Sequence, residues 1–568
     1  MAMILDLRTL SDRIQDNQPN RELSIDRWKK GGRLLSGLLG SNVLLFGGAL
    51  ATCVFTEDAD IYEFDFLIFL SVVMVICILW MFFQMYFTWK YKNAILYKDC
   101  QAGPIWMRGG IILFGIGTLI MESFKIVYAA HPTECVTPVR IIQPVIQAIF
   151  VIVQTCFLWM SCKHCVQIYI NATRCFLMVL LTVNLIIWII AVAEESRHHT
   201  VELQKQLQGN FSEVTNSTYS AEEGEDEKEY DCDCKSRCMN NTAVFVYLYP
   251  FNIEYNLFAA AMLYIMWKNV GRQIDENASY YHGIGPGVRE HIPLFGLVCG
   301  VSILIIGLVM FIMYEVGRDH KHKHWLSLKA FYIFHVVSLA LMCIANIVGI
   351  IIFRLDKRHM DNQKNPSRTL DMALLLGAAL GQYAISYYSI IAMASTQPFR
   401  ILCGLTLGYS ALMIIQHSLQ NIFIIEGLHR LPPHVIFRPV SPITSRPTRP
   451  EESIKQDPTQ DTDRRQSLTS VPKISSRRMS RRETLSAHIK SHLKKRKTMK
   501  DVYLFLFLSN ILFWIMPAFG ARIRFDSGLE VNFYGFTIWA IITNICLPFG
   551  IFYRMHAAAT LLELYSRS

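Results

Sequence analysis

Two side chains that exchange protons in mild acid, Glu254 and His556, lie inside or at the edge of strongly apolar runs and occupy related places in them. Glu254 belongs to Pro250-Phe-x-Ile-x-Tyr255-x-x-x-Ala-Ala-Ala261, and the same pattern returns as Pro548-Phe-x-Ile-x-Tyr553-x-x-x-Ala-Ala-Ala559. In the second copy Phe552 replaces Glu254, and His556 stands where the first copy has Phe258. An ionisable group at membrane depth costs about 2.5–3.5 kcal/mol even on lenient insertion scales, so its retention needs a reason. Glutamate and histidine titrate in water near about 4.3 and 6.5, which suits both to a proton relay or a pH sensor. The plainer readings are a structural ion pair of Glu254 with Lys268 or an arginine, and an interfacial place for His556 at a helix end.

Uncharged hydrogen-bonders recur as well. Ile141-Ile-Gln-Pro-Val-Ile-Gln-Ala-Ile-Phe150 matches Ile414-Ile-Gln-His-Ser-Leu-Gln-Asn-Ile-Phe423 at six of ten positions, and Asn184-x-x-x-Trp188 is echoed by Asn510-x-x-x-Trp514. Three polar positions are thereby paired: Gln147 with Gln420, Asn184 with Asn510, and Tyr255 with Tyr553. Amides and a phenol donate and accept without carrying charge, so clustered inside a helical unit they can hold a water chain along which protons hop. Gln143, Gln147 and Gln154 fall on one helix face, which makes Gln154 a rival to Gln147. Ordinary interhelical hydrogen bonding, worth about 0.6 kcal/mol per contact, is the competing explanation for any one glutamine.

Other titratable groups fit structural roles. Glu122 and Lys125 stand three apart on one helix, His335 and His417 read as hydrogen-bonded core histidines, and Asp371, Arg354 and Asp356 read as helix-end residues. His320, His322 and His324 form a weak metal motif, because the alternating lysines repel a cation. No Walker loop, His-Glu-x-x-His motif or nucleotide fingerprint is present, and nothing suggests catalysis or a cofactor.

The elements that must carry these groups are membrane helices. The 568 residues are 52% hydrophobic and only 18% charged, with the apolar residues in long blocks. Twelve runs are about 20 residues long. They are Leu34–Phe55, Phe66–Phe87, Gly109–Ala130, Ile141–Ser161, Cys175–Ala193, Val244–Trp267, Leu294–Tyr314, Phe331–Phe353, Met372–Ala394, Ile401–Ile425, Val502–Ala521 and Phe533–Tyr553. The repeats pair the fourth run with the tenth, the fifth with the eleventh and the sixth with the twelfth. The expected fold is therefore all-α, a polytopic membrane protein with twelve transmembrane helices in two homologous six-helix halves.

The division expected is a cytoplasmic segment 1–33, a first half 34–269, a cytoplasmic connector 270–293 and a second half 294–568. Met1 to Lys30 has no apolar core, so no cleavable signal is expected there. Basic residues before the first run, between the second and third, and after the eighth put both termini in the cytoplasm, against one dissenting loop, Arg318–His324. Residues 194–243 then form an acidic outer loop with sequons at Asn210, Asn216 and Asn240, and with Cys232, Cys234 and Cys238, which suit disulfides better than metal. Residues 430–500 carry eighteen Lys/Arg against six Asp/Glu and read as a disordered basic cytoplasmic linker with kinase-like sites, attracted to anionic lipid rather than nucleic acid.

Ala102-Gly-Pro-Ile-Trp-Met-Arg-Gly-Gly110, Tyr247-Leu-Tyr-Pro-Phe-Asn-Ile-Glu-Tyr255 and Asn544-Ile-Cys-Leu-Pro-Phe-Gly-Ile-Phe-Tyr-Arg-Met-His556 resemble the otopetrin family through all twelve runs. The resemblance implies a proton-selective channel in the plasma membrane that conducts inward and is gated or modulated by extracellular acid. It also implies a homodimer with lipid or sterol at its centre, and zinc as a modulator. The family's positions carry over as Glu254 and His556, and as Gln–Asn–Tyr constrictions containing Asn184 with Tyr255 and Asn510 with Tyr553. The first-half glutamine stays open between Gln147 and Gln154. The alternative is a proton-coupled secondary transporter, which would need a solute pocket near the midplane. A scaffold acting through the basic linker is the third class.

Overall fold

The computed structural model describes residues 31–52, 59–91, 94–99, 103, 105–129, 138–215, 242–272, 293–318, 321–355, 366–396, 401–430 and 475–568. The first half holds α1 (Gly31–Thr52), α2 (Ala59–Lys90), α3 (Ile105–Ala129), α4 (Pro138–Ser161), α5 (Ile170–Thr215) and α6 (Thr242–Asn269). The second holds α7 (Leu294–Arg318), α8 (Lys321–Leu355), α9 (Pro366–Ser395), α10 (Ile401–Leu428), α11 (Ser475–Ala518), the short α12 (Ile523–Asp526) and α13 (Leu529–Tyr534), and α14 (Phe536–Arg567). Helix is the form these runs must take, because a lipid-exposed backbone has to satisfy its hydrogen bonds within the segment. Among the described residues eleven helices are long and apolar enough to cross a membrane. The twelfth, α6, is less apolar because it carries Pro250, Asn252, Glu254 and Asn256.

Three boundaries depart from the sequence reading. Helix α5 continues past Glu194 to Thr215, so the start of the expected acidic loop, Asn210 included, is helical. Helix α11 begins at Ser475, which makes the last part of the expected linker an extension of the span that follows. Both extensions are rich in Leu, Gln, Glu, Lys and Arg, good helix formers that prolong an existing helix without a new nucleus. The final run is divided: Gly535, at φ +79°, ends α13 and starts α14, which runs on well past Tyr553. Cys232, Cys234, Cys238, Asn216, Asn240 and His320 lie outside the described residues.

The two halves repeat the same helix pairings. In the first, α2 packs on α4, α3 on α4 and α6, and α5 on α2 and α6. In the second, α8 packs on α10, α9 on α10 and α14, and α11 on α8 and α14. The outer helices α1 and α7 dock alike. A Cβ on Gly47 would stand 2.4 Å from Ile186, and one on Gly307 would stand 2.3 Å from Leu512. Ile186 and Leu512 each follow the paired asparagines Asn184 and Asn510 by two residues. A larger residue would have to displace those side-chain ends, and small residues at such contacts are the usual device for bringing membrane helices together. Each half has its own core, around Phe114, Phe150 and Phe157 in the first and around Phe331, Tyr332 and Phe423 in the second. Trp514, Ala518 and Ile551 of the second half belong to the first half's core.

The first half also carries a small sheet that the run count did not foresee. Strands β1 (Ile95–Lys98) and β2 (His164–Val166) pair antiparallel, with an irregularity between Ile95 and Tyr97. Asp99 beside β1 accepts hydrogen bonds from Asn269 (3.0 Å) and Arg272 (3.3 Å), and Arg174 donates to the Val270 carbonyl (2.8 Å). These contacts tie the end of α6 to the sheet. Burial there, with Asp99 adding to it, pushes the Cys165 thiol up to about 11.

Candidate functional site

Helices α4, α5 and α6 bring the first polar cluster together. Gln154 Nε2 donates to Asn184 Oδ1 at 2.9 Å, and Asn184 Nδ2 donates to the Leu180 carbonyl one turn back at 2.7 Å, which holds the amide in orientation. Tyr255 Oη donates to the Val151 carbonyl at 3.1 Å and shares a 3.0 Å hydrogen bond with Thr155 Oγ1. Gln154, Asn184 and Tyr255 are all fully buried. Gln154 Oε1 has no hydrogen-bond partner among the described residues, so an acceptor remains open beside the amide pair. Gln147 is two turns away and receives a hydrogen bond from Gln143 at 2.7 Å rather than joining Asn184.

The second cluster repeats this geometry and adds to it. Gln420 and Asn510 exchange amide hydrogen bonds at 3.1 and 3.0 Å, and Gln420 Nε2 also reaches Tyr553 Oη at 3.3 Å. Tyr553 Oη donates to Asn421 Oδ1 (2.9 Å) and approaches the His417 carbonyl (3.5 Å). Three correspondences therefore link α4 and α10: Val151 with His417, Gln154 with Gln420, and Thr155 with Asn421. The sequence repeat aligned Gln147 with Gln420, seven residues out of this spatial register. Seven residues are close to two helical turns, so both alignments put glutamine on the same face at different heights.

Arg554 is a buried charge that the sequence reading passed over. Its position corresponds to Asn256 in the first half, yet its guanidinium reaches into the second cluster. Nη1 donates to Gln416 Oε1 at 2.9 Å and to Asn510 Oδ1 at 3.1 Å, with the group lying over the Phe513 ring at 5.0 Å. It is 2% exposed. The first half has no such charge: Asn256 donates back to Asn252 on its own helix at 2.7 and 2.8 Å. The two clusters are thus alike in Gln, Asn and Tyr and unlike in charge.

Glu254 points to neither cluster. It is fully buried between the halves, where Trp514 Nε1 of α11 donates to Oε1 at 2.9 Å while Oε2 has no partner among the described residues. Phe114 packs edge-on to Trp514 (5.8 Å), and Phe519 packs on both Trp514 (5.9 Å) and Phe251 (6.0 Å). Lys268, offered above as a structural partner, instead lies over the Tyr264 and Trp267 rings. The related contact on the other side is incomplete, since the position equivalent to Glu254 is Phe552. Trp188, the counterpart of Trp514, packs against Phe549 (6.0 Å), and its Nε1 has no partner among the described residues. Arg522 and Glu195 add an ion pair at 3.3 Å across the same interface.

His556 is buried on α14, where its Nε2 meets the backbone carbonyl of Asp371 at 3.1 Å and its ring stacks on Phe552 at 5.6 Å. Helix α14 continues past His556 to Arg567, and Asp371 lies in the second turn of α9. His335 and His417 each bond the carbonyl four residues back, at 2.9 and 2.8 Å, and Glu122 pairs with Lys125 at 3.6 Å. His322 lies on α8, and the His324 ring faces the Asp526 carbonyl at 3.4 Å. Among the described residues no three His, Cys, Asp or Glu side chains are placed to hold a metal.

Comparison with known proteins follows the same lines. A family model described as Otopetrin matches residues 106–440 and 477–555. The chain is 43% identical over 557 residues to "Proton channel OTOP2" of Mus musculus, covering 95% of each. It is 36% identical over 549 residues to "Proton channel OTOP3" of Homo sapiens, covering 94% of this chain and 86% of that one. It is 30% identical over 554 residues to "Proton channel OTOP1" of Danio rerio, with coverage of 95% and 92%.

Proposed function

We propose, from the premise that this chain belongs to the otopetrin family, that it carries protons into the cell across the plasma membrane, chiefly through its first half. It is a proton channel and not an enzyme. The observation that carries the choice of route is the pair of clusters. Gln154, Asn184 and Tyr255 line up buried, neutral hydrogen-bonders, whereas the second cluster holds the Arg554 guanidinium against Asn510. A neutral amide and phenol path lets a proton pass by hydrogen-bond exchange while a metal ion would have to shed its water. A fixed positive charge opposes any cation.

Acid control is assigned to Glu254. Its oxygen is held by an indole of the opposite half, and no ion pair reaches it among the described residues, so gaining or losing a proton changes the charge of the seam directly. His556, bonded to the Asp371 carbonyl, couples α14 to α9 and is the second group proposed to respond. The basic segments before the first run, between the second and third and after the eighth support cytoplasmic termini. The family reading further carries a homodimer with lipid or sterol at its centre, and modulation by zinc.

The test is whole-cell recording with bath acidification and sodium replaced by a large organic cation. Inward current that follows the proton reversal potential supports the reading. Current that appears only when a solute is added favours the secondary transporter instead.

A further inference from the structure

A cavity of about 80 Å³ lies beside the second cluster, bordered by Arg522, Arg524, Arg554, His335, Gln382 and Tyr409. Three guanidiniums face one small space. Arg522 pairs with the carboxylate of Glu195 at 3.3 Å. Arg524 lies over the Tyr409 ring (5.3 Å) and touches Ser386 Oγ at 3.4 Å, and its buried Nη1 has no hydrogen-bond partner among the described residues. Arg554 is held by two amide oxygens and the Met413 sulfur, all uncharged. Glu530 is the other carboxylate near Arg524, but its oxygens are taken by Ser389 (2.9 Å) and Ser527 (3.0 Å). Arg524 and Arg554 therefore line the cavity with no carboxylate in hydrogen-bond contact among the described residues.

Guanidinium does not deprotonate in proteins, so neither of these two charges can be relieved by losing a proton. Buried charge left without a counter-charge is strongly disfavoured. A water molecule needs roughly 10–15 Å³ of such space, so the cavity has room for a monovalent anion with part of its hydration.

We propose that this cavity is a binding site for a small monovalent inorganic anion, a halide such as chloride, held by Arg524 and Arg554. The occupant meets the open Nη1 of Arg524 and fixes the Arg554 guanidinium against Gln416 and Asn510. Binding does not depend on the proton route proposed above, and a chain that binds chloride without conducting protons would refute only that route.

The test uses the full chain, purified in detergent, with sodium chloride titrated into sodium gluconate at constant ionic strength and pH. Chloride quadrupolar NMR line broadening and the thermal unfolding midpoint are followed together. Both should change and saturate for the natural protein, with bromide acting alike. Arg524→Gln should abolish the saturable part of both, and so should Gln382→Glu, which places a carboxylate in the cavity as a built-in competitor. Lys90→Gln, at an exposed lysine distant from the cavity in the sequence, should leave both unchanged. If Arg524→Gln does not fold, Gln382→Glu decides. No saturable response in the natural protein, or the same response in Gln382→Glu, overturns the proposal.

Discussion

Replacing Arg554 with glutamine should open the second half to protons. Its guanidinium stands 3.1 Å from Asn510 Oδ1, and its partners among the described residues are all neutral. A proton resting on the Gln420–Asn510 pair would be roughly 5 Å from that charge, where repulsion at an effective dielectric of about 20 is about 3.3 kcal/mol. Each 1.36 kcal/mol is a factor of ten, so the charge slows this route by about 250-fold. With the charge removed both halves conduct, and the total acid-evoked current rises by at most about twofold, from one path to two. The assay is whole-cell proton current normalised to surface protein measured by biotinylation. Arg554→Lys keeps the charge and should leave the current near that of the natural chain. Equal or smaller current in Arg554→Gln at matched surface density would refute the assignment of the barrier to this residue.

Three further outcomes follow from the geometry. Glu254→Gln keeps an acceptor for Trp514 but fixes the charge at zero, and together with His556→Ala it should change the pH dependence of current with surface expression intact; superimposable pH–current curves would remove both residues from the mechanism. Burial holds the Glu530 carboxyl above its ordinary 4.5 despite Arg524 nearby. The folded state then binds the extra proton, so this group's contribution to stability falls as pH rises above 4.5, and Glu530→Gln should flatten the decline of the unfolding midpoint above that pH. Gly307→Val puts a branched side chain where even a Cβ would lie 2.3 Å from Leu512, and overpacking of that kind costs about 1–3 kcal/mol, to be read as a lower unfolding midpoint in detergent.

Much of the scaffold was legible because lipid imposes long apolar runs, and because the Asn184/Asn510 and Tyr255/Tyr553 matches survive at fixed places in their helices. The glutamine register was not. Gln143, Gln147 and Gln154 share a face, and sequence identity cannot tell which height meets Asn184; only the Tyr255 and Tyr553 contacts to Val151 and His417 set the scale. Arg554 was missed because the repeat was read for identical positions, and the first-half position matching Arg554 is the uncharged Asn256. Trp514 was seen only as part of a repeat. Its partner lies 260 residues earlier in the other half, and no local pattern announces such a bond.

That bond has an arithmetic consequence. A tandem of two first halves would carry twin carboxylates across the seam, and twin acids share protons and titrate in coupled steps. A tandem of two second halves would carry none. The natural chain, with Glu254 facing Trp514 and Phe552 standing opposite, has one such indole-held acid, while Glu195 across the same seam is engaged by Arg522, so Glu254 has no twin at the related position with which to share a proton.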